Sequence, residues 1–242
     1  MHPPIILFDF DGVILTQKAL EYTALRHLRN DFYQWQNIKN LRPIDLALLF
    51  EKSNSENLIN LYKNIHINFK PYIPNWTKRD IFITRFGREY RKLEKIYDGL
   101  KPGLERILTE LKNKKITSGI ISNTQKSRLN YFKQKFQLNN YFSVFLTRDD
   151  IPFHKPNPYP IIYALKLIKD QNKLKRIDKS KVYFIGDIPS DIKCAKSAGV
   201  NSIALLSGHG RKTELENEEP TYIIEKIIDI SELAPFKRFL FQ

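Results

Sequence analysis

Between Gly99 and Ser207 the chain alternates two patterns. Short apolar runs, "KITSGIISN" (115–123), "FSVFLT" (142–147), "KVYFIGD" (181–187) and "NSIALLS" (201–207), are separated by the amphipathic segments "SRLNYFKQKFQL", "YPIIYALKLIKD" and "DIKCAKSAG", and "GLERILTELKNK" precedes the first of them. Strands alternating with helices build a parallel sheet covered on both faces. The reading is therefore α/β, a Rossmann-like, doubly wound core.

A further buried strand, "PIILFDF" (4–10), lies far from the others. Residues 17–97 between them carry almost no strand signal. They read as helices: "KALEYTALRHLRNDFYQW", "PIDLALLFEK", "SENLINLYKNIHINF" and "KRDIFITRFGREYRKLEKIY", with a break at "KPYIPN" (70–75). The helical block is thus an insertion: residues 1–15 and 99–242 form the core domain, and 16–98 a helical cap domain. The 242 residues, 42% hydrophobic and 12% aromatic, supply enough apolar material for such an arrangement.

Composition narrows the setting. Cys194 is the single cysteine, so no internal disulfide forms, which fits a reducing cytoplasm. The N-terminus is a poor signal peptide, because Asp9 and Asp11 interrupt its apolar run. No uncharged stretch is long enough to span a bilayer, so no membrane partner is expected. The net charge of +14 raises the question of nucleic acid. The basic residues are scattered, however, and the cluster "RFGREYRKLEK" (85–95) reads as charges spread around several helix faces with Glu89 and Glu94 mixed in.

Chemistry should lie beyond the carboxyl ends of parallel strands. Asp9 and Asp11 end the first strand, Ser122 and Asn123 the second, and Asp187 ends "VYFIGD", with Asp191 in the next turn; Lys155 follows "FSVFLT". Converging carboxylates repel, at ~4 Å and an effective dielectric of about 20 by roughly 4 kcal/mol per pair. Such a site calls for a cation, and all-oxygen ligands suit Mg²⁺, which takes phosphate oxygens as partners. Lysine and serine beside it look like a phosphate cradle. Each feature alone has a bland reading: a solvated Asp-x-Asp turn, a helix cap, an exposed lysine, a Gly-Asp loop. Their occurrence together, in this order at successive strand ends, points to a site.

The segments "FDFDGVIL", "IISN", "HKPNPYPIIYAL" and "FIGDIPSDIKCAKSAGV" resemble the four signature motifs of the haloacid dehalogenase-like hydrolase superfamily, of the phosphoglycolate phosphatase and β-phosphoglucomutase type with a helical cap. The resemblance runs from about residue 4 to about residue 230; the cap matches only in position and helical character. It implies a Mg²⁺-dependent phosphatase acting on a small phosphomonoester. Asp9 would be the nucleophile that forms an aspartyl-phosphate, and Asp11 the acid and then the base, its carbonyl facing the metal. Ser122 and the Asn123 backbone would bind the phosphoryl oxygens, and Lys155 would neutralise charge. Asp9, Asp11, Asp187 and Asp191 would hold Mg²⁺. Asp11 itself argues against dehalogenation, since a halide leaves without a proton. Two alternatives stand beside this reading: a phosphomutase, and a non-catalytic protein that binds nucleic acid through its basic surface. His154 stands where the family commonly has Gly and reads as a loop histidine; Cys194 reads as a packed thiol. Lys39 and Arg42, in "NIKNLRP" (37–43), could hold a second anionic group, although an exposed loop is the plainer reading. The chain is expected to work as a monomer or homodimer.

Overall fold

The computed structural model describes residues 3–29, 49 and 58–237. The expected helix at 43–52, apart from helical Leu49, lies outside the described residues, as do Lys39, Arg42 and the aromatics of 31–36. The chain divides into two compact units, Met1–Thr16 with Leu100–Gln242, and Gln17–Gly99.

The first unit is built on six parallel strands: β1 (Ile5–Phe8), β2 (Thr117–Ile121), β3 (Val144–Leu146), β4 (Val182–Gly186), β5 (Asn201–Leu205) and β6 (Tyr222–Ile224). Their spatial order is β3-β2-β1-β4-β5-β6. The chain steps outward from β1 on one side, crosses back to β4, and steps outward on the other. The switch point therefore falls between β1 and β4, where open parallel sheets leave a crevice beyond the strand ends. β1 is flanked on both sides, Ile5–Phe8 pairing with Thr117–Ile120 and with Val182–Ile185. This central position explains its uninterrupted apolar sequence. Ile6 and Phe8 pack on one face, and Ile5 and Leu7 on the other.

Helices cover both faces. On one lie Leu104–Asn113 and Lys126–Lys135; on the other lie Tyr159–Gln171 and Pro189–Ala198. Leu104–Asn113 shows why the sequence folds this way. Leu104, Ile107, Leu108 and Leu111, at helical spacing, are all buried, while Glu105 occupies the first turn and Lys112 the last. Burying each of these side chains is worth roughly 1.5–3 kcal/mol. β6 was not among the expected strands. It is three residues long, sits at the sheet edge, and buries only Ile224, so its sequence lacks a strong strand pattern.

The second unit is helical among its described residues: α1 (Lys18–Arg29), α2 (Leu58–Phe69) and α3 (Trp76–Tyr97). Leu20, Ala24, Phe69, Ile73, Phe82, Ile83 and Phe86 form its core. The Asp98 carboxylate, 2% exposed, accepts a hydrogen bond at 3.0 Å from the Ala19 N–H in the first turn of α1. It acts as an N-cap supplied from the far end of the insertion and ties the two ends together. Buried Arg79 donates to His66 Nδ1 and to the carbonyls of Ile73 and Pro74, which closes the turn after α2. The charges of α3 are arranged differently from expectation. Glu94 is buried and Glu89 pairs with Arg26, while Arg85, Arg88, Arg91, Lys92 and Lys95 are all exposed. Their helical spacing puts them on one positive face opposite the core residues Arg79, Phe82, Phe86 and Glu94. No helix among the described residues is long and apolar enough to cross a membrane.

Candidate active site

Two adjacent strands deliver the carboxylates. Asp9 continues the β1 ladder by one residue, its N–H donating to the Ile185 carbonyl at 2.8 Å. Its side chain emerges just beyond the sheet and is 7% exposed. Asp187 follows β4 directly. Asp191, in the first turn of the Pro189–Ala198 helix, accepts through Oδ2 from the N–H groups of Asp187 (3.1 Å) and Ile188 (3.2 Å). That contact folds the helix start back on the strand end. Carboxylate oxygens of Asp9, Asp187 and Asp191 all lie within 4.8 Å of one another, and all three residues are buried.

Lys155 reaches this cluster from the loop after β3. Its ammonium donates to Asp9 Oδ1 at 2.5 Å and to Asp191 Oδ1 at 2.6 Å, with the side chain 3% exposed. Asn123 fixes its backbone from both directions: the Asn123 amide donates to the Lys155 carbonyl (3.1 Å) and accepts from the Lys155 N–H (3.2 Å). The structure therefore gives the Asn123 side chain a supporting task.

One ammonium does not balance three buried carboxylates. Burial pushes Asp9 well above the usual carboxylate range, with Lys155 opposing and Asp191 and Asp187 adding to the rise. Asp191 is raised for the same first reason. Burial alone would push Lys155 down, but the charges of Asp191 and Asp9 outweigh it and hold the ammonium above its ordinary value. The site is short of positive charge. Asp187 Oδ2 accepts from the His209 N–H at 2.7 Å, whereas its Oδ1 is buried with no hydrogen-bond partner among the described residues. Glycine backbones pack directly against the Asp187 side chain. Gly12, at φ +76°, and Gly208 approach so closely that a side chain at either would overlap the Asp187 side chain. Oxygen donors, excess negative charge and an unused lone pair fit a hard divalent cation, which the cluster could hold.

Ser122, 3% exposed, ends β2. Its N–H donates to the Leu146 carbonyl and its Oγ accepts from the Thr124 N–H at 3.1 Å. Asp11 stands apart from the three-carboxylate cluster: its carboxylate pairs with Arg128, Nη1 lying 2.8 Å from each oxygen. Neither Arg128 nor His209 stood out in the sequence. His209 is 5% exposed and its Nδ1 is 3.2 Å from Asp187 Oδ2. A histidine between two glycines in "SGHGR" was the available signal; Arg128 had none, since it meets Asp11 across 117 positions. His154 Nε2 lies 2.9 Å from the Arg148 carbonyl, a contact within its own loop. Cys194 is buried, its Sγ 3.0 Å from the Asn157 carbonyl.

Known proteins resemble this chain along most of its length. The chain is 25% identical over 225 residues to the pyrophosphatase PpaX of Oceanobacillus iheyensis, covering 93% of this chain and 94% of that one. It is 29% identical over 166 residues to the phosphoglycolate phosphatase of Neisseria meningitidis serogroup A, covering 67% and 66%. The crystal structure of a predicted phosphoglycolate phosphatase from Haemophilus somnus superposes with a TM-score of 0.69 at 20% identity, covering 95% of this chain and 97% of that one; this likeness concerns the fold. The model of the family described as haloacid dehalogenase-like hydrolase matches residues 6–205, which span β1 to β5 and every strand end discussed above. The chain belongs to the haloacid dehalogenase-like hydrolases.

Proposed function

We propose that the protein is a Mg²⁺-dependent phosphatase that hydrolyses a small phosphorylated metabolite in the cytoplasm through an aspartyl-phosphate on Asp9, as a monomer or homodimer. The observation that carries this reading is the Lys155 ammonium bridging Asp9 and Asp191 beside an Asp187 oxygen with an unused lone pair. A carboxylate, a cation and an oxygen with an unused lone pair gathered at one point support that reading, because phosphoryl transfer needs a nucleophile and positive charge held together.

Asp9 attacks phosphorus as the bond to the leaving oxygen breaks. The electron pair of that bond stays on the leaving oxygen, which takes a proton from the Asp11 carboxyl and departs as an alcohol. Water then attacks the aspartyl-phosphate, Asp11 takes its proton, and inorganic phosphate leaves as Asp9 regains its carboxylate. Lys155 offsets the charge of the transferring oxygens, and Ser122 Oγ–H and the Asn123 N–H donate to them. Mg²⁺ held by Asp9, Asp187, Asp191 and the Asp11 carbonyl would supply the positive charge that lets an anionic nucleophile meet an anionic phosphate. The unit Gln17–Gly99 is proposed as the cap that selects the substrate, and the positive face of α3 as an attractor for anions.

The test is a panel of small phosphate esters, with pyrophosphate and phosphoglycolate included because relatives carry those names, assayed with Mg²⁺ and with EDTA. Mg²⁺-dependent phosphate release is expected, lost by a factor of roughly 10³ or more in Asp9→Asn, because an amide cannot attack phosphorus. Near-normal release by pure Asp9→Asn would show that the nucleophile is another group.

A further inference from the structure

Helix α3 carries its cations in a pattern that helix stability does not ask for. Lys78, Arg85, Arg88, Arg91, Lys92 and Lys95 are all exposed. Their helical spacing puts them on one face, along about 25 Å of helix axis from Lys78 to Lys95. The acids of the helix are turned elsewhere: Asp80 lies 3.4 Å from His66, Glu89 pairs with Arg26, and Glu94 is buried. Arg88, Arg91 and Lys92 form no ion pair among the described residues.

Such a face costs stability on its own. Arg85–Arg88, Arg88–Arg91, Arg88–Lys92, Arg91–Lys95 and Lys92–Lys95 are neighbours three or four positions apart, and like charges at that spacing destabilise a helix. The helix dipole accounts for Lys95 in the last turn, but its effect fades within that turn, and it disfavours Lys78 in the first turn, where no acid stands. Packing accounts for none of them, because the core of this unit is made by the opposite face through Phe82, Ile83 and Phe86. The repulsion is relieved when a polyanion lies along the face.

We propose that this face of α3 binds the sugar–phosphate backbone of duplex nucleic acid without reading its sequence. Three of the cations are arginines, whose planar fork meets a phosphate through two hydrogen bonds. Thr84, Arg88, Arg91, Lys92, Lys95 and Ile96 line an open recess of about 720 Å³, in which backbone atoms can settle between the basic side chains. A duplex offers a negative charge for each ~1.7 Å of its axis, a dense match to a row of cations. A single strand is held by aromatic rings on which its bases stack. The exposed aromatics among the described residues of this unit are engaged with other rings, Tyr22 with Tyr97 and Trp76 with His66. A helix lying on a membrane needs an apolar face to insert; beside its cations α3 exposes only Ile81 and Ile96. The inference goes beyond the phosphatase reading and does not rest on it, since binding is read without turnover.

The experiment follows the fluorescence anisotropy of a labelled DNA duplex of about 20 base pairs, titrated with the full chain in EDTA at NaCl concentrations between about 50 and 300 mM. A Kd of about 10⁻⁶–10⁻⁴ M at about 150 mM salt is expected, with a slope of log K against log salt of about −4.5 for about five phosphate contacts. Arg88→Gln/Arg91→Gln/Lys92→Gln should weaken binding by about 10-fold or more at the lowest salt and flatten the slope by about three. The control Lys173→Gln/Lys175→Gln/Arg176→Gln removes the same charge from an exposed basic cluster in the other unit and should leave the slope unchanged. Equal flattening by the two triple variants would show a diffuse attraction set by net charge and would overturn the assignment. So would absence of binding by the unaltered chain at about 50 mM salt, tighter binding of an oligothymidylate of the same length, or tighter binding to phosphatidylserine vesicles in a sedimentation assay. Should the triple variant lose helicity by circular dichroism, Arg88→Gln and Lys92→Gln are read singly; each should flatten the slope by about one, and unchanged slopes would overturn the proposal.

Discussion

Replacing Lys155 by methionine keeps most of the side-chain volume and removes the ammonium that touches Asp9 and Asp191. Those contacts are 2.5 and 2.6 Å long, and the side chain is 3% exposed, so water cannot take over the lost charge. Breaking a buried pair by removing one partner typically costs 3–5 kcal/mol, because the other charge is left uncompensated; here two carboxylates are left, so a loss of about 5 kcal/mol is expected. In a chain of this size each kcal/mol moves the melting temperature by about 2–4 °C, so the shift should be about 10–20 °C. Lys126→Met is the matched control. Its ammonium also has a carboxylate partner, Asp150 at 2.6 Å, but is 57% exposed. Exposed pairs are screened by water and salt and contribute little, so its shift should be far smaller than that of Lys155→Met. Differential scanning calorimetry of both variants without metal measures the difference. A Mg²⁺ titration of Lys155→Met should then return part of the stability. Equal melting temperatures for the two variants would refute the claim that the cluster is short of positive charge.

Two further outcomes follow from groups outside the cluster. Burial pushes the Cys194 thiol up to about 12. The folded state therefore holds a proton that the unfolded chain releases from about pH 8.5 upward. The stability this provides is complete below that pH and is lost between about 8.5 and 12, by about 1.4 kcal/mol per pH unit. Denaturant melts of the chain and of Cys194→Ala at pH 8 and pH 10 should show a steeper loss with Cys194 present, and equal slopes would contradict it. At the insertion, Asp98→Ala removes an N-cap from α1 and should cost about 0.5–2 kcal/mol, whereas Asp98→Asn keeps an acceptor oxygen and should cost less. Urea unfolding followed by tryptophan fluorescence, to which only Trp35 and Trp76 of the same unit contribute, reads this directly, and indistinguishable Ala and Asn variants would argue against the cap.

The parts of the molecule legible in the sequence share a physical cause. Central strands of a parallel sheet must be apolar on both faces, so "PIILF" and "VYFIG" announce themselves, and the acids that follow mark where the sheet stops. The helical insertion was visible because its apolar residues recur at helical spacing. β6 was not, since an edge strand of three residues has one neighbour and little to bury. The one-sided charge on α3 was misjudged for a different reason. Glu89 and Glu94 interrupt the basic run in sequence, but whether they interrupt it in space depends on where the core lies, and the core takes Glu94 inside. Arg128 and His209 were missed because their meaning is relational. Each is an ordinary polar residue until the sheet order sets it beside an aspartate, 117 positions away for Arg128 and 22 for His209. The strand-end aspartates carried a local signal, and the groups that hold them did not.

The central place of β1 also has a consequence for the newborn chain. Of the six strands of this sheet, β1 leaves the ribosome first, and as a central strand it needs a neighbour on each side. Its neighbours begin at Thr117 and Val182, which are 112 (117 − 5) and 177 (182 − 5) residues later. At translation speeds of about 5–20 residues per second, Ile5–Phe8 waits about 9–35 s for its second neighbour. Throughout that interval a strongly apolar segment must stay soluble, and the two acids at its end serve as gatekeepers before they serve in any reaction. The helices of Gln17–Gly99 draw their core from within that span and can complete it while the sheet is still unwritten. Assembly in this order leaves the strand that carries Asp9 with one side covered from Thr117 onward and the other open until Val182 emerges.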